Sequence, residues 1–222
     1  LAADTPLEEV IVSVEKVGKS LQDTQASVAV LTGDELQRRD VVDLEEALLY
    51  IGNANINTTG DVSIRGISRD GPTGGIPTNR TVLAYHLDGV ALSAQAQRFA
   101  LSNWNIQQLE VLRGPVTTIQ GRNSLAGGIF VTTKEPEYDF SAKTRLAYGE
   151  HETYQVAGAV TGPIIENSLA YMLSVDYNDS EGYITNTSLN DDEYGDYGST
   201  TIHSKLLYEP DALPRLKANL AF

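Results

Sequence analysis

There is no cysteine among the 222 residues. That excludes disulfide scaffolds, thiolate zinc sites and cysteine nucleophiles. Positive charge is scarce as well: 16 Lys and Arg stand against 30 Asp and Glu, for a formal net charge of −14. A nucleic-acid partner is thereby disfavoured, because neutralising phosphates takes a surplus of cations. No apolar run approaches the ~18 residues of a membrane-spanning helix. A membrane β-barrel is untouched by that absence, since its strands alternate and leave only a weak hydropathy signal. The three histidines, His86, His151 and His203, are far apart and form no HExxH or HxxxH pattern. No nucleophile elbow, P-loop or dinucleotide fingerprint occurs either, so no catalytic residue, metal ligand or cofactor is expected. The chain opens on Leu1, which fits either a processed terminus or a chosen boundary.

What is present divides into two grammars. Residues 26–135 read as mixed α and β. "ASVAVLTG" (26–33) is a compact β run, and Thr32 with Glu35 makes a capping box for the helix that follows. Asp43 with Glu46 repeats the pattern ahead of "LEEALLY" (44–50), in which Leu44, Ala47 and Leu48 share a face and Gly52 is the expected stop. Further strands are expected in "DVSIRG" (61–66), "TVLAYHLDG" (81–89), "QLEVL" (108–112) and "GGIFVTTK" (127–134). Two long polar loops, 68–80 and 93–100, lie between them, and loops of that kind usually carry function or disorder.

Past Lys134-Glu135-Pro136 the helix signals fade. Five segments of roughly ten residues alternate in succession, the length of tilted membrane strands: 142–148, 153–160, 169–177, 201–208 and 215–222. In the third, Leu169, Tyr171, Leu173, Val175 and Tyr177 oppose Ser174 and Asp176. The connections 149–152, 162–167 and 209–215 are short, whereas 178–199 is long and acidic. Outer-membrane barrels have short periplasmic turns and longer outer loops. Tyr148, Tyr154, Tyr177 and Tyr208 fall near segment ends, as interfacial girdles do. Periodicity alone leaves a soluble β-sandwich equally open, because a half-buried sheet writes the same pattern. Five strands also cannot close a membrane barrel, so either the chain continues past Phe222 or something else completes the wall.

A more specific signal comes from an ordered set of stretches: "EEVIVSVEK" (8–16), "SVAVLTGDEL" (27–36), "DLEEAL" (43–48), "SIRGIS" (63–68), "YHLDGVALS" (85–93) and "IQQLEVLRGPVTTIQGRNSLAGGIFVTTKEP" (106–136). In this order they resemble a TonB-dependent outer-membrane transporter, and "GRNSLAGGI" is similar to its iron-complex members. The resemblance implies an α+β plug, a mixed sheet with short helices, followed by antiparallel strands of a transmembrane β-barrel of about 22 strands, here incomplete. The expected layout is a periplasmic segment over 1–25, a plug over 26–136 and the first five barrel strands over 137–222.

The resemblance also assigns roles. Glu9, Val10, Ile11, Val12 and Ser13 match the TonB box, a β-prone strand without a nearby hairpin partner that can add to another protein's sheet edge. The bland alternative is the first strand of the plug's own sheet. With only seven residues ahead of "EEVIVS" (8–13), no signalling domain is expected there. Arg65, Glu110 and Arg113 are the expected plug half of a charged latch against the barrel wall; read without the family, the two arginines are solvated strand-end charges. Candidate ligand contacts are Arg69, Asp70, Asn79 and Arg80 in one loop and Gln95, Gln97, Arg98 and Phe99 in the other. Arginines there suit an anionic chelate. The implied partners are TonB of the inner-membrane energy-transducing complex, a ferric siderophore or similar metal chelate, and outer-membrane lipid. Cobalamin, haem, carbohydrate or peptide cargo, or a soluble β-rich binding module, are the competing expectations. Sequon-like triplets at Asn57, Asn178 and Asn186 are read as chance, and "NDDEYGD" (190–196) as a solvated loop rather than a calcium site.

Overall fold

A computed structural model describes residues 11–12, 19–20, 27–39, 41, 44–56, 62–68, 82–92, 103–115, 124–150, 152–181, 184–186, 191–194, 197–210 and 216–221. The chain divides into two compact units. One comprises residues 1–99 and 106–133, the other 100–105 and 134–222.

Along the first unit run β1 (Ile11–Val12), β2 (Lys19–Ser20), β3 (Val28–Thr32), α1 (Gly33–Arg38), α2 (Leu44–Leu49), β4 (Ala54–Ile56), β5 (Val62–Ile64), β6 (Ile67–Ser68), β7 (Leu83–Leu87), β8 (Val90–Ala91), β9 (Ile106–Arg113) and β10 (Gly127–Thr133). Five of these form a mixed sheet in the order β3-β9-β10-β7-β8, in which only the β10–β7 pair is parallel. Its two central strands are buried on both faces, as near-continuous apolar runs in β9 and β10 require. Leu109, Val111, Leu112, Ile129 and Val131 are all almost fully buried, joined by Leu36 of α1 and Leu48 of α2.

Local chemistry sets the helix starts. The Glu35 N–H donates to Thr32 Oγ1 at 3.3 Å and the Thr32 N–H donates to Glu35 Oε2 at 3.1 Å, the reciprocal capping box anticipated for α1. Gly33 is needed for a different reason. A Cβ there would lie 2.1 Å from the Ile106 carbonyl oxygen, so only glycine lets α1 start against β9. The second cap, Asp43, and the Leu44 side chain lie outside the described residues. Gly52 is not the stop for α2. Its last turn tightens, with Tyr50 N–H donating to Ala47 O and Ile51 N–H to Leu48 O, and the left-handed residue is Asn53 at φ 65°. Asparagine tolerates that region better than most side chains.

The stretch 61–66 also ends earlier than expected. Arg65 and Gly66, at φ 52° and 78°, form a two-residue turn that joins β5 to β6, with Ile64 paired to Ile67. Asp88-Gly89, at φ 47° and 79°, makes the same turn between β7 and β8. Nearer the N-terminus, β1 pairs with β2 in antiparallel register, Ile11 opposite Ser20 and Val12 opposite Lys19. The expectation of a strand without a hairpin partner is corrected by that pairing. The chain between is short enough for the β-prone run to satisfy its ladder groups locally.

The second unit holds β11 (Ser141–Tyr148), β12 (Tyr154–Ile165), β13 (Leu169–Ser180), β14 (Ile184–Asn186), β15 (Asp191–Tyr194), β16 (Tyr197–Tyr208) and β17 (Ala218–Ala221). β11-β12-β13-β16-β17 form one antiparallel sheet in which each strand follows its neighbour, and β14–β15 is a small hairpin within the long connection. All five alternating segments therefore contain strands, with several ends shifted, and the last is the four-residue β17 within 215–222. β12 runs through Gly162 and Pro163 to Ile165, so the turn is 166–168, with Asn167 at φ 55°. Proline is tolerated there because β11 pairing stops at Ser141 opposite Thr161 and the pairing with β13 is irregular between Pro163 and Ile165. The connection from 178 to 199 is shorter than expected, because β13 extends to Ser180 and β16 begins at Tyr197.

Candidate functional site

The sheet of the second unit has its solvent preference reversed. On β13 the residues Ala170, Met172, Ser174, Asp176 and Asn178 are buried, while Leu173, Val175 and Tyr177 are exposed. Asp176 is 1% accessible; Leu146 is 80% and Ile202 62%. Register carries the pattern across strands. One exposed row runs Leu146, Val156, Tyr177, and the next runs Gly158, Val175, Ile202. The opposite face bears Lys143, Arg145, Gln155, Asp176, His203 and Lys205, and Gln155 Nε2 donates to Asp176 Oδ1 at 3.1 Å. A soluble sandwich buries its apolar face; this sheet displays it, as lipid-facing barrel strands do. Tyr148 and Tyr154 stack at the end of the β11–β12 hairpin, with ring centroids 6.2 Å apart.

In the first unit, Arg65 and Arg113 come to one corner. Arg113 Nη1 donates to the Gly52 carbonyl at 3.1 Å, and the Arg65 N–H donates to Asn53 O at 2.8 Å. A Cβ on Gly114 would sit 3.2 Å from Arg65 Nη1, so the guanidinium lies directly over that glycine. Arg113 Nε is buried without a hydrogen-bond partner. Glu110 is elsewhere: opposite Val30 and Phe130 in the register, 1% accessible, and accepting from Gln108 Nε2 at 2.9 Å. The three expected latch residues thus split into an arginine corner and a buried carboxylate. Of the expected TonB box, Ile11 and Val12 form β1, while Glu9, Val10 and Ser13 lie outside the described residues. So do all eight candidate ligand contacts: Arg69, Asp70, Asn79, Arg80, Gln95, Gln97, Arg98 and Phe99.

Two features escaped sequence reasoning. Asp88, at the β7–β8 turn, accepts from the Thr133 N–H at 2.8 Å and from Thr133 Oγ1 at 2.7 Å, tying that hairpin to the end of β10. The signal for it is the Asp88-Gly89 pair, a hairpin-turn dipeptide that closes the expected strand 81–89. The second is a group of polar fastenings around residues 134–138 of the second unit. Lys217 Nζ lies 2.9 Å from Glu135 Oε2 and 3.6 Å from Glu209 Oε1, and the Glu135 partnership holds the Lys217 ammonium above its usual pKa. Beside them is a cleft of about 70 Å³ lined by Trp104, Lys134, Glu135, Glu137, Lys143 and Met172, among others. That is far below the several hundred Å³ of a small-molecule site. Among the described residues no cluster of His, Asp or Glu could hold a metal ion.

Comparison with known proteins agrees with this picture. A family model for the TonB-dependent receptor plug domain matches residues 20–128. The ferrioxamine B receptor of Salmonella typhimurium is 25% identical over 154 residues, 65% of this chain and 20% of that protein. The iron-regulated outer membrane virulence protein of Vibrio cholerae is 26% identical over 242 aligned positions, 96% of this chain and 34% of that one. Among solved structures, the ferripyoverdine receptor of the Pseudomonas aeruginosa outer membrane, bound to ferripyoverdine, superimposes with a TM-score of 0.78 at 15% identity, covering 96% of this chain and 27% of that one. The chain thus spans between a fifth and a third of the length of these relatives.

Proposed function

Since this chain belongs to the TonB-dependent outer-membrane receptors, with a plug followed by strands of a barrel wall, we propose that it serves uptake of a metal chelate, a ferric siderophore in the first instance. The receptors it resembles are named for ferrioxamine B and ferripyoverdine. The observation that carries the reading is the reversed sheet, with Leu173 and Val175 outward and Asp176 inward. Such a wall is stable only with lipid on one side and a polar lumen on the other.

In this reading the chelate binds at the outer end of the plug, on the loops bearing Arg69, Asp70, Asn79 and Arg80 and Gln95, Gln97, Arg98 and Phe99. Arginine suits an anionic ligand through planar, charge-assisted hydrogen bonds. TonB then pairs with residues 9–13 by strand addition. Main-chain hydrogen bonds loaded in shear transmit the pull. The β1–β2 pairing fits this role, because an isolated two-stranded hairpin is marginal in water and can exchange one strand for another. Arg65, Glu110 and Arg113 are the proposed plug half of a latch that holds until the pull arrives. The cargo undergoes no chemistry on the way.

The test uses cells bearing the full-length receptor and iron-labelled siderophore. Val12→Pro removes a ladder donor from the coupling strand. Uptake should fall at least tenfold while binding to whole cells stays within twofold. Uptake that persists at the unmodified rate rejects residues 9–13 as the coupling strand, and uptake that needs no energised inner membrane rejects the transport reading.

A further inference from the structure

The chain passes between the two units at Thr133 and Lys134, and the residues that follow are fastened at almost every position. The Lys134 N–H donates to Asn105 O at 2.9 Å, and its Nζ donates to Trp104 O at 3.1 Å, 6.0 Å from the indole centroid. Glu135 uses both oxygens, one toward Lys217 Nζ at 2.9 Å and one toward Asn219 Nδ2 at 3.4 Å. Pro136 is buried. The Glu137 N–H donates to Thr161 Oγ1 at 2.8 Å, whose hydroxyl in turn donates to Tyr171 O at 2.9 Å. The Tyr138 hydroxyl donates to Glu209 Oε2 at 3.3 Å, and the Glu209 N–H is itself bonded to Ser168 O.

We infer that residues 134–138 are a fixed abutment of the barrel wall, at which a pull on the plug ends, rather than a hinge that pays out with it. The inference rests on the transport reading above, which supplies the pull. The partners named above all belong to the second unit and are spread over four places in it: the short helix Asn103–Asn105, β12, Glu209 just past β16, and Lys217 and Asn219 at the entry to β17. Exposed ion pairs taken singly hold little. Here they act together with backbone and hydroxyl bonds spread along five residues, so a load along the chain meets them in parallel. Composition agrees. Flexible linkers are rich in Gly and Ser, whereas "KEPEYDF" (134–140) has neither and carries a proline. On the plug side of the seam, Thr133 is held by Asp88, so motion must begin earlier in the chain, with β10 the last plug strand to yield.

The experiment is single-molecule pulling from the N-terminus of the full-length receptor in a phospholipid membrane. The unmodified protein should reach its final arrest at the contour length of residue 134. A triple variant, Glu135→Ala, Tyr138→Phe and Lys217→Ala, should lengthen that contour by residues 135–140, about 20 Å. An identical arrest in both proteins overturns the inference. A second arm covers a variant that inserts poorly: Glu135→Cys with Lys217→Cys, joined by a short bis-methanethiosulfonate linker. The joined protein should arrest where the unmodified one does, and an arrest moved to shorter extension shows that the strap normally pays out. Neither arm involves cargo, so loss of the abutment leaves the transport reading standing, and a failed uptake assay leaves the abutment untouched.

Discussion

Leu173 is the residue at which water and lipid make opposite demands. It lies midway along β13, in an outward series from Leu169 to Tyr177, and is 43% accessible. Eight steps at about 3.4 Å give roughly 27 Å of strand, or ~20 Å of height once a tilt near 40° is applied. Leu173 therefore sits near the centre of the apolar band. Arginine there should cost about 2–4 kcal/mol in a bilayer, a shift of roughly 30- to 700-fold in the folding equilibrium at 1.4 kcal/mol per decade. On a water-facing strand the same change would fall within about 0.5 kcal/mol. Leu173→Ala separates lost apolar area from introduced charge, and Lys143→Gln, on the other face, should move stability by about 0.5 kcal/mol or less. The assay is reversible unfolding of the full-length receptor in phospholipid vesicles by guanidinium titration. If Leu173→Arg matches Leu173→Ala, the outward face does not meet lipid and the barrel argument fails.

Gly33→Ala should destabilise the plug by about 1–3 kcal/mol, despite alanine's better helix propensity, because its Cβ meets the Ile106 carbonyl; a plug that stays equally protease-resistant in the intact receptor would refute the close approach. The Lys217 pKa is raised in the folded chain, chiefly by its bond to Glu135. Its contribution should be fully present below the unfolded value of 10.5 and be lost only as pH rises through the higher folded value, so stability measured from pH 7 to 9 should show no pH dependence from Lys217, and Lys217→Gln should flatten any decline above pH 10.5. Arg65→Gly should relieve about 1 kcal/mol of left-handed strain at φ 52° and leave the plug as stable or more so, yet lower uptake; unchanged uptake would remove Arg65 from the latch.

Much of this architecture was legible because period and chemistry agreed. Thr32 and Glu35 announced α1, since a hydroxyl and a carboxylate three residues apart satisfy two otherwise unpaired donors. The barrel strands were legible because side-chain direction has a period of two wherever the faces differ. What the alternation could not say was which face is buried. Leu173 and Asp176 write the same pattern in a sandwich and in a barrel, and only the burial of the aspartate separates them. Turn positions were read less well. The α2 stop was placed on Gly52 by residue type, but a tightened last turn passed the left-handed conformation to Asn53. Arg65 was read into a strand because arginine rarely takes a positive φ. The fastenings of Glu135 were invisible for another reason: Lys217 and Asn219 are more than 80 positions away and meet it only through the register of β16 with β17.

Charge is distributed unevenly over the second unit. The chain as a whole is strongly acidic, with 30 carboxylates to 16 basic side chains. The inward face of β11, β12, β13 and β16 goes the other way, carrying Lys143, Arg145 and Lys205 with His203 against Asp176. Nothing in sheet stability asks for this, since any polar residue would serve a lumen. An excess of one sign of charge along a low-dielectric wall focuses the field and raises the local concentration of counter-ions. On an acidic protein such a face does not follow from overall composition.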